Sequence, residues 1–259
     1  MENQNIMDAN FVPEEFQTPY DIVELPSQGL LYPNKKSKVK LEYLTALDEN
    51  ILSSPNISSN SSSMLDILLE RKIKDLGFDH SELLVGDRLA LLIYLRVTGF
   101  GEKYVQLVID PKTKNLIEGE VDLSKLKSKQ LKVKPDNSGL FDFILPESGK
   151  NIKFKLLNAK DEEIIETKNK QMQDRFNSEE NFTPILRLEQ TIQSIDGETD
   201  KIKLSNIIKR LKILDVRNFN KYVTSIEPGI DFETEARIQG GESVSCFLRI
   251  SSSFFWPEL

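Results

Sequence analysis

The chain has 259 residues, 39% of them hydrophobic and 29% charged, which is typical of a globular protein with room for two ordinary domains. Its net charge of −7 argues against a general binder of nucleic acids or anionic membranes. A single cysteine, Cys246, excludes an internal disulfide, and the longest apolar run is too short for a bilayer. The polar start lacks the basic and apolar regions of a signal peptide, so we expect a cytoplasmic protein.

The first 20 residues are predicted to be an N-terminal extension. They are rich in Asn, Gln, Glu and Pro and contain three aromatic residues, Phe11, Phe16 and Tyr20. This composition indicates a segment without a core of its own. Two interpretations stay open: the extension is disordered, or it is an arm that docks its aromatic rings on a partner.

The first folded unit is predicted to open with a turn, a strand and a helix. The turn is Leu25-Pro26-Ser27-Gln28-Gly29, because proline fixes φ and glycine permits a positive φ. Residues 39–43 alternate between apolar and polar side chains, which predicts a half-buried strand. Thr45 is a candidate cap for the next helix, with the acidic residue Asp48 three positions on.

The remainder of the first unit is predicted to contain helices and a closing hairpin. Residues 64–73 carry leucines on one helical face, and residues 87–97 are apolar nearly all round, as in a buried helix. Arg96 in that helix must therefore reach the surface or find a carboxylate. Residues 105–110 and 116–121 predict the hairpin.

The second unit is predicted to open with the same turn, strand and helix. It begins with Leu145-Pro146-Glu147-Ser148-Gly149, continues with an alternating strand, and offers Asn158 as the helix cap. The helix over residues 159–176 is mostly polar, so we expect it to face solvent over most of its surface. Residues 230–238 and 243–250 predict a second closing hairpin.

Matched residues indicate a tandem duplication, with chance matching of common turn and cap residues as the alternative. Asp87 and Gly101 have the same separation as Asp215 and Gly229, and Leu69-Glu70 with Ile73 resembles Leu188-Glu189 with Ile192. We predict an α+β fold of two tandem related units, each with helices and a closing β-hairpin. The predicted parts are an N-terminal extension (1–20), a first unit (21–126), a lysine-rich connector (127–140) and a second unit with an aromatic tail (141–259).

No catalytic, cofactor-binding or metal site is predicted. The one histidine, His80, is interpreted as an ordinary surface residue, and Cys246 as a buried small hydrophobe instead of a nucleophile. Four acidic residues of the first hairpin could hold magnesium for nuclease chemistry, but solvated strand faces explain them as well. They are Asp110, Glu118, Glu120 and Asp122.

Five lysines lie in the connector or just before it, at positions 125, 127, 129, 132 and 134. They could contact phosphates, but a solvated linker is favoured because the whole chain is acidic and aromatic residues are not interleaved. We therefore expect neither a nucleic-acid partner nor a membrane partner.

An ordered set of short motifs runs from about residue 22 to the end of the chain. In the first half the motifs are Val23-Glu24-Leu25-Pro26-Ser27-Gln28-Gly29-Leu30-Leu31-Tyr32-Pro33, Leu44-Thr45, Asp48-Glu49, Ile51-Leu52, Leu84-Val85-Gly86-Asp87-Arg88, Leu95-Arg96, Gly101 and Val121-Asp122-Leu123. In the second half they are Leu145-Pro146, Ser148-Gly149, Ser194-Ile195-Asp196-Gly197-Glu198, Phe254-Phe255 and Pro257. With this set, the chain resembles the baseplate hub assembly proteins of contractile-tailed, T-even-type phages.

The resemblance implies a non-enzymatic protein that helps to assemble the phage tail baseplate hub through protein–protein contacts. Its partners would be other hub or tail proteins, and the resemblance also allows a homo-oligomer. It would act in the host cytoplasm, with the virion tail baseplate as a second possible location. The alternatives are a chaperone for another virion component and, with less support, a metal-dependent nuclease.

One departure from the family concerns zinc. The resemblance implies a Cys-Pro-x-Cys knuckle in the first hairpin of many relatives and a similar pair in the last hairpin. Here the first position reads Asp110-Pro111-Lys112-Thr113, and residues 237–241 lack cysteine too. A cysteine-ligated zinc clasp is therefore excluded at these positions, and we predict no tightly bound zinc and no other cofactor.

The aromatic C-terminal tail contains Phe254, Phe255 and Trp256. Three successive exposed rings would be an aggregation hazard, so we expect at least two to be buried. Docking on the second unit is favoured over docking on a hub partner. The candidate partner-binding residues are Phe11, Phe16, Tyr20, Phe254, Phe255 and Trp256.

Overall fold

The secondary structure combines helices with small antiparallel sheets. The computed structural model describes residues 18–52, 61–250 and 254, with the backbone alone at residues 51, 52 and 61–63. Within these residues, seven α-helices and twelve strands confirm the predicted α+β class.

The first half begins with an antiparallel sheet in the order β1-β2-β3. Its strands are β1 (Tyr20–Glu24), β2 (Lys38–Glu42) and β3 (Ile73–Lys74). Helices α1 (Ala46–Leu52) and α2 (Ser61–Lys72) lie between β2 and β3 in the chain. A 3-10 helix (His80–Glu82) and the long helix α3 (Val85–Phe100) follow, and β4 (Lys103–Ile109) and β5 (Leu116–Asp122) form the predicted hairpin.

The second half also begins with a three-stranded antiparallel sheet. After a 3-10 helix (Leu123–Lys125) and the short strand β6 (Ser128–Lys129), this sheet has the order β7-β8-β9. Its strands are β7 (Phe141–Ile144), β8 (Asn151–Phe154) and β9 (Ile192–Ile195). The helices are α4 (Ala159–Phe176), α5 (Thr183–Thr191), α6 (Lys201–Ile208) and α7 (Ile213–Ile226). The closing strands are β10 (Gly229–Ile230), β11 (Glu233–Ile238) and β12 (Ser243–Phe247).

The two halves share their order of elements. Each has two strands, two helices, a third strand paired to the second, a helical segment, a long helix and a hairpin. Tyr94 of α3 donates a hydrogen bond to Asp21 of β1, and Tyr222 of α7 stacks on Phe143 of β7 with ring centroids 4.7 Å apart. Both long helices thus contact the first strand of their own sheet, as a duplication would require, while the superposition of the halves stays a prediction.

The two hairpins meet in one four-stranded sheet, in the order β12-β11-β5-β4. Ala236 of β11 pairs with Val121 of β5, so the junction joins the two halves edge to edge. The inward side chains of this sheet belong to a core that includes Leu91 of α3 and Phe154 of β8. The hairpins therefore bind the halves together instead of closing each one separately.

A second contact between the halves depends on glycine. A Cβ atom at Gly86, in the first turn of α3, would lie 1.7 Å from the carbonyl oxygen of Pro228 and 3.1 Å from Cα of Gly229. Such a distance is impossible for a side-chain carbon, so only glycine permits this close backbone approach. The approach positions the start of α3 against β10.

The lysine-rich connector exposes Lys127, Lys132 and Lys134 to solvent, as expected, but its backbone is anchored to both halves. Leu131 is buried, and its backbone N–H donates to the carbonyl of Pro26 in the first half. The Lys127 carbonyl accepts from the N–H of Asp231, and β6 pairs with β10 in the second half. The sequence did not indicate this anchoring, because the few apolar side chains of the segment lie between lysines.

Helices α3 and α4 show how sequence pattern sets burial. The apolar helix α3 buries Leu91, Leu92 and Leu95, whereas the polar helix α4 buries only Asp161 and Ile165. The exposed surface of α4 confirms the prediction made from its composition.

Candidate functional site

The first Leu-Pro turn and helix α3 meet in a buried polar joint, which we call the first joint. Asp87, in the first turn of α3, is fully buried. Its Oδ1 accepts from the Ser27 N–H at 2.8 Å, and its Oδ2 accepts from the Tyr32 hydroxyl at 2.6 Å. The Tyr32 oxygen in turn accepts from the Leu84 N–H at 2.8 Å. Every polar atom in this chain of contacts has a partner, as a buried network requires.

Burial determines the acid–base behaviour of the first joint. Removal from solvent raises the pKa of Asp87, although the hydrogen bonds from Ser27 and Tyr32 favour its ionised form. Burial and the neighbouring Asp87 also raise the pKa of Tyr32, so its hydroxyl remains a proton donor. The joint is held by hydrogen bonds without an ion pair to Asp87.

The second joint joins the second Leu-Pro turn to α7. Asp215 lies in the first turn of α7 and is fully buried. Its Oδ1 accepts from the Glu147 N–H at 2.8 Å, and Glu147 follows Pro146 as Ser27 follows Pro26. Its Oδ2 is buried and has no hydrogen-bond partner among the described residues. The second joint therefore repeats one bond of the first and lacks the tyrosine.

A further matched pair of aspartates holds the helix caps. Thr45 donates its N–H to Oδ2 of Asp48 at 2.7 Å, and Asn158 donates its N–H to Oδ2 of Asp161 at 3.2 Å. Asp48 also contacts the buried ammonium of Lys72 at 2.5 Å. Burial alone would raise the pKa of Asp48, but the bonds from Lys72 and Thr45 hold it below its ordinary value. Asn158 also accepts the Asp161 N–H on its Oδ1 at 2.9 Å, which confirms this predicted cap. At Thr45 the described contacts show only the reverse half, in which Asp48 accepts from the Thr45 N–H and hydroxyl.

Arg96 lies in the core, where it contacts the start of the tail. Its Nε donates to the Phe254 carbonyl at 2.7 Å, and its Nη1 and Nη2 donate to the carbonyls of Gly101 and Lys103 at 2.8 and 3.1 Å. The expectation that Arg96 reaches the surface or a carboxylate is wrong, because three backbone carbonyls satisfy it. Burial lowers the pKa of Arg96.

Phe254 is fully buried beside this guanidinium, with its ring edge-on to Tyr104 at 5.0 Å between centroids. It is therefore docked on its own chain, but on α3 and β4 of the first unit and not on the second unit as expected. Tyr20 lies at the start of β1 instead of in a separate extension, is 46% exposed, and has the Lys40 ammonium 3.6 Å from its ring centroid. The other candidate partner-binding residues lie outside the described residues: Phe11, Phe16, Phe255 and Trp256.

His80 is not the ordinary surface residue that was expected, because its Nε2 is buried and has no hydrogen-bond partner among the described residues. The surroundings of Cys246 do not activate its thiol. His80 is half-buried, in the 3-10 helix capped by Asp79, beside a cleft of about 600 Å³ between α2 and α4. Cys246 is half-buried in β12, and burial raises the pKa of its thiol. Gln106 donates to its sulfur at 3.4 Å. A raised pKa disfavours the thiolate that a nucleophile needs.

The acidic residues of the first hairpin are spread along it. Asp110 accepts from the Lys112 N–H and the Thr113 hydroxyl within its own turn. Glu120 pairs with Lys103 and Asp122 with Lys125, while Glu118 is exposed. In the described part of the chain, no three His, Cys, Asp or Glu side chains are grouped so that they could hold a metal ion.

The two hairpin turns are linked by charge. Lys112, in the first turn, pairs with Glu242 in the second at 2.6 Å. Both side chains are more than half exposed, so solvent screens this pair and it contributes little to stability. Strand pairing between β5 and β11 therefore supplies most of the connection between the hairpins.

Two features were not anticipated from sequence. The contact of Tyr32 with Asp87 joins residues 55 positions apart, and no local pattern marks it. The exposed apolar side of β4 has a visible signal, since residues 104–109 are apolar at every position except Gln106. Such a run predicts apolar side chains on both faces of a strand.

None of the helices in the described part of the chain has both the length and the apolar character that spanning a bilayer requires. No family model, curated protein or solved structure matches this chain.

Proposed function

We propose that this chain is a non-enzymatic phage protein that takes part in assembly of the tail baseplate hub, acting in the host cytoplasm through contacts with hub or tail proteins. One observation carries the proposal: motifs that are far apart in sequence, and that together give the resemblance, contact one another in the fold. The stretch from Val23 to Pro33 meets Leu84-Val85-Gly86-Asp87-Arg88 in the first joint, through Ser27, Tyr32 and Asp87.

A second group of motifs meets around Arg96. This residue donates to the carbonyls of Gly101 and Phe254, and all three belong to the quoted set. Unrelated turn and cap residues would have no reason to assemble into shared buried networks. The contacts therefore support an origin of these motifs in one fold, and the hub family is the family that the set resembles.

The described surface favours binding to other proteins over catalysis. The carboxylates Asp110, Glu120 and Asp122 are occupied by neighbouring lysines or by their own turn, and the Cys246 thiol is held protonated. The nuclease alternative thus has no supporting geometry among the described residues. Exposed apolar side chains, which association between proteins uses, occur on both halves.

Capture from infected cells tests the proposal. The tagged full chain, expressed during infection, should co-purify with baseplate hub proteins identified by mass spectrometry. Enrichment of head or tail-tube components without hub proteins would favour the chaperone alternative. Recovery of neither, with magnesium-dependent DNA cleavage by the purified chain, would favour the nuclease.

Two truncations separate folding from partner binding at the tail. Ending the chain after Phe254 keeps the buried ring, and an oxygen of the new terminal carboxylate can accept from Arg96, so the melting temperature should change little. If Phe255 and Trp256 bind the hub partner, this variant should lose hub co-purification. Ending the chain after Ser253 also removes the Phe254 ring, and should cost about 2–3 kcal/mol of stability.

Phe176→Ala is the matched control for capture, because this aromatic residue of α4 is 59% exposed and lies outside the proposed contact set. It should leave both the melting temperature and hub capture unchanged. Hub capture that survives truncation after Phe254 would remove Phe255 and Trp256 from the interface.

A further inference from the structure

The edge strand β4 exposes a row of aliphatic side chains. Val105, Leu107 and Ile109 alternate with the inward residues of the strand and are 54%, 54% and 59% exposed. Leu116, paired with Ile109 across the hairpin, is 62% exposed. Together these side chains present on the order of a few hundred Å² of apolar surface, the size at which exposed patches are often functional. We call this row the β4 stripe.

Val105, Leu107 and Ile109 also have backbone N–H and C=O groups that are not used in the pairing of β4 with β5. Asp110 donates its N–H to the Asn115 carbonyl, and Leu123 donates to the Glu102 carbonyl, so even-numbered positions of β4 bond to β5. Bonded and non-bonded positions alternate along an antiparallel ladder. The N–H and C=O groups of Val105, Leu107 and Ile109 therefore point to the free edge. The described residues supply no hydrogen-bond partner for them.

This edge lacks the usual protection against pairing. Strand β4 contains no proline, its register with β5 is regular throughout, and its only charged residue is Lys103 at one end. Natural edge strands usually carry a central charge, a proline or a bulge that prevents association. An unprotected edge that also has an apolar row is suited to receive another strand.

We propose that the occupant is a second copy of this chain, with the two β4 strands paired antiparallel about a two-fold axis at Leu107. The four-stranded sheets would then form one eight-stranded sheet. Val105 of each copy would lie opposite Ile109 of the other, and Leu107 opposite Leu107. This register uses the free backbone groups of all three residues and keeps the β4 stripe on one face.

The uncharged residues of β4 and the position of its occupied carbonyl favour self-pairing in this register. The carbonyl of Lys103 already accepts from Arg96, so a register centred on Leu107 avoids the one edge group that is occupied by a described residue. The uncharged run from Tyr104 to Ile109 places no like charges opposite each other when two copies meet. The stripe is smaller than the ~800 Å² per partner of a standard interface, so the dimer is concentration-dependent.

Sedimentation of the full-length chain tests the association. We expect a shift from monomer to dimer as the concentration rises towards about 100 μM. Leu107→Lys places two ammonium groups opposite each other at the axis, and should weaken dimerisation by at least about tenfold. Ile22→Lys is the matched control, because Ile22 is 58% exposed on β1, the edge of a different sheet, and should leave dimerisation unchanged.

Cysteine cross-linking tests the register. In a Cys246→Ser background, Leu107→Cys should form a disulfide-linked dimer on oxidation, because directly opposite Cα atoms lie about 5.5 Å apart. Val105→Cys should not, because its copies would be about 14 Å apart along the strands. A chain that remains monomeric at the highest concentration contradicts the proposal. So does dimerisation that Leu107→Lys leaves intact, or equal cross-linking at both positions.

Discussion

The two joints between a Leu-Pro turn and a long helix differ in the hydrogen-bond partners of their buried aspartates. Both bury an aspartate in the first turn of the helix, and both aspartates accept the N–H of the residue after the proline. In the first joint the second carboxylate oxygen accepts from Tyr32, whereas in the second joint that oxygen of Asp215 has no partner among the described residues. The comparison shows that the repeated motif preserves the bond from the backbone to the buried aspartate. Whether the second carboxylate oxygen finds a hydrogen-bond partner depends on the residues that follow each turn.

Removing the first aspartate should have the largest effect. Asp87→Ala leaves the Ser27 N–H and the Tyr32 hydroxyl buried without their acceptor, so we expect a loss of about 3–5 kcal/mol in the free energy of unfolding. Urea denaturation followed by circular dichroism measures it. A loss below about 1 kcal/mol would mean that the first joint contributes little to the fold.

Tyr32→Phe makes the first joint resemble the second. It removes the donor to Asp87 and the acceptor for the Leu84 N–H, while the ring still packs on Phe78. We expect a loss of about 1–3 kcal/mol by urea denaturation. Tyr43→Phe is the control, since that hydroxyl bonds to Asp21 in a partly exposed site and should cost less than Tyr32→Phe.

Asp215→Ala should cost less than Asp87→Ala. It leaves only the Glu147 N–H without its acceptor, and it removes a buried oxygen that has no described partner. We expect a loss of about 1 kcal/mol. Equal losses for Asp215→Ala and Asp87→Ala would show that the Tyr32 bond does not distinguish the two joints.

The smallest expected effect is on pH dependence. The pKa of Asp87 in the folded chain is raised above its ordinary value of 3.8. Above pH 3.8, the folded chain therefore retains a proton that the unfolded chain releases, and the contribution of Asp87 to stability falls as the pH rises through the raised pKa. Asp87→Asn should remove this component. Denaturation of the wild type and of Asp87→Asn from pH 4 to pH 7 should then give different slopes of the free energy of unfolding against pH. Parallel slopes would contradict the assigned direction.

Local chemistry made much of the fold predictable from sequence. Proline and glycine located both turns, alternation located the hairpins, and Asn158 located a helix cap that the structure confirms. These features depend on neighbours within a few residues. The all-apolar pattern of α3 likewise predicted its burial.

Long-range contacts could not be predicted in this way. Nothing local indicates that Tyr32 reaches Asp87, that Arg96 bonds to the Phe254 carbonyl 158 positions away, or that the two hairpins share a sheet. The expectation for Arg96 failed because backbone carbonyls, which every residue carries, leave no signature in the sequence. The anchoring of the connector through Leu131 was hidden for a similar reason.

A double-mutant cycle between Tyr32 and Asp87 tests the central claim most directly, that the Tyr32 hydroxyl satisfies the carboxylate oxygen of Asp87 whose counterpart in Asp215 has no partner among the described residues. The cycle compares the free energies of unfolding of the wild type, Tyr32→Phe, Asp87→Ala and the double variant. We predict a coupling energy of about 1–3 kcal/mol, because the second substitution costs little once the first has removed the shared bond. Additive losses, with a coupling energy near zero, would contradict the account.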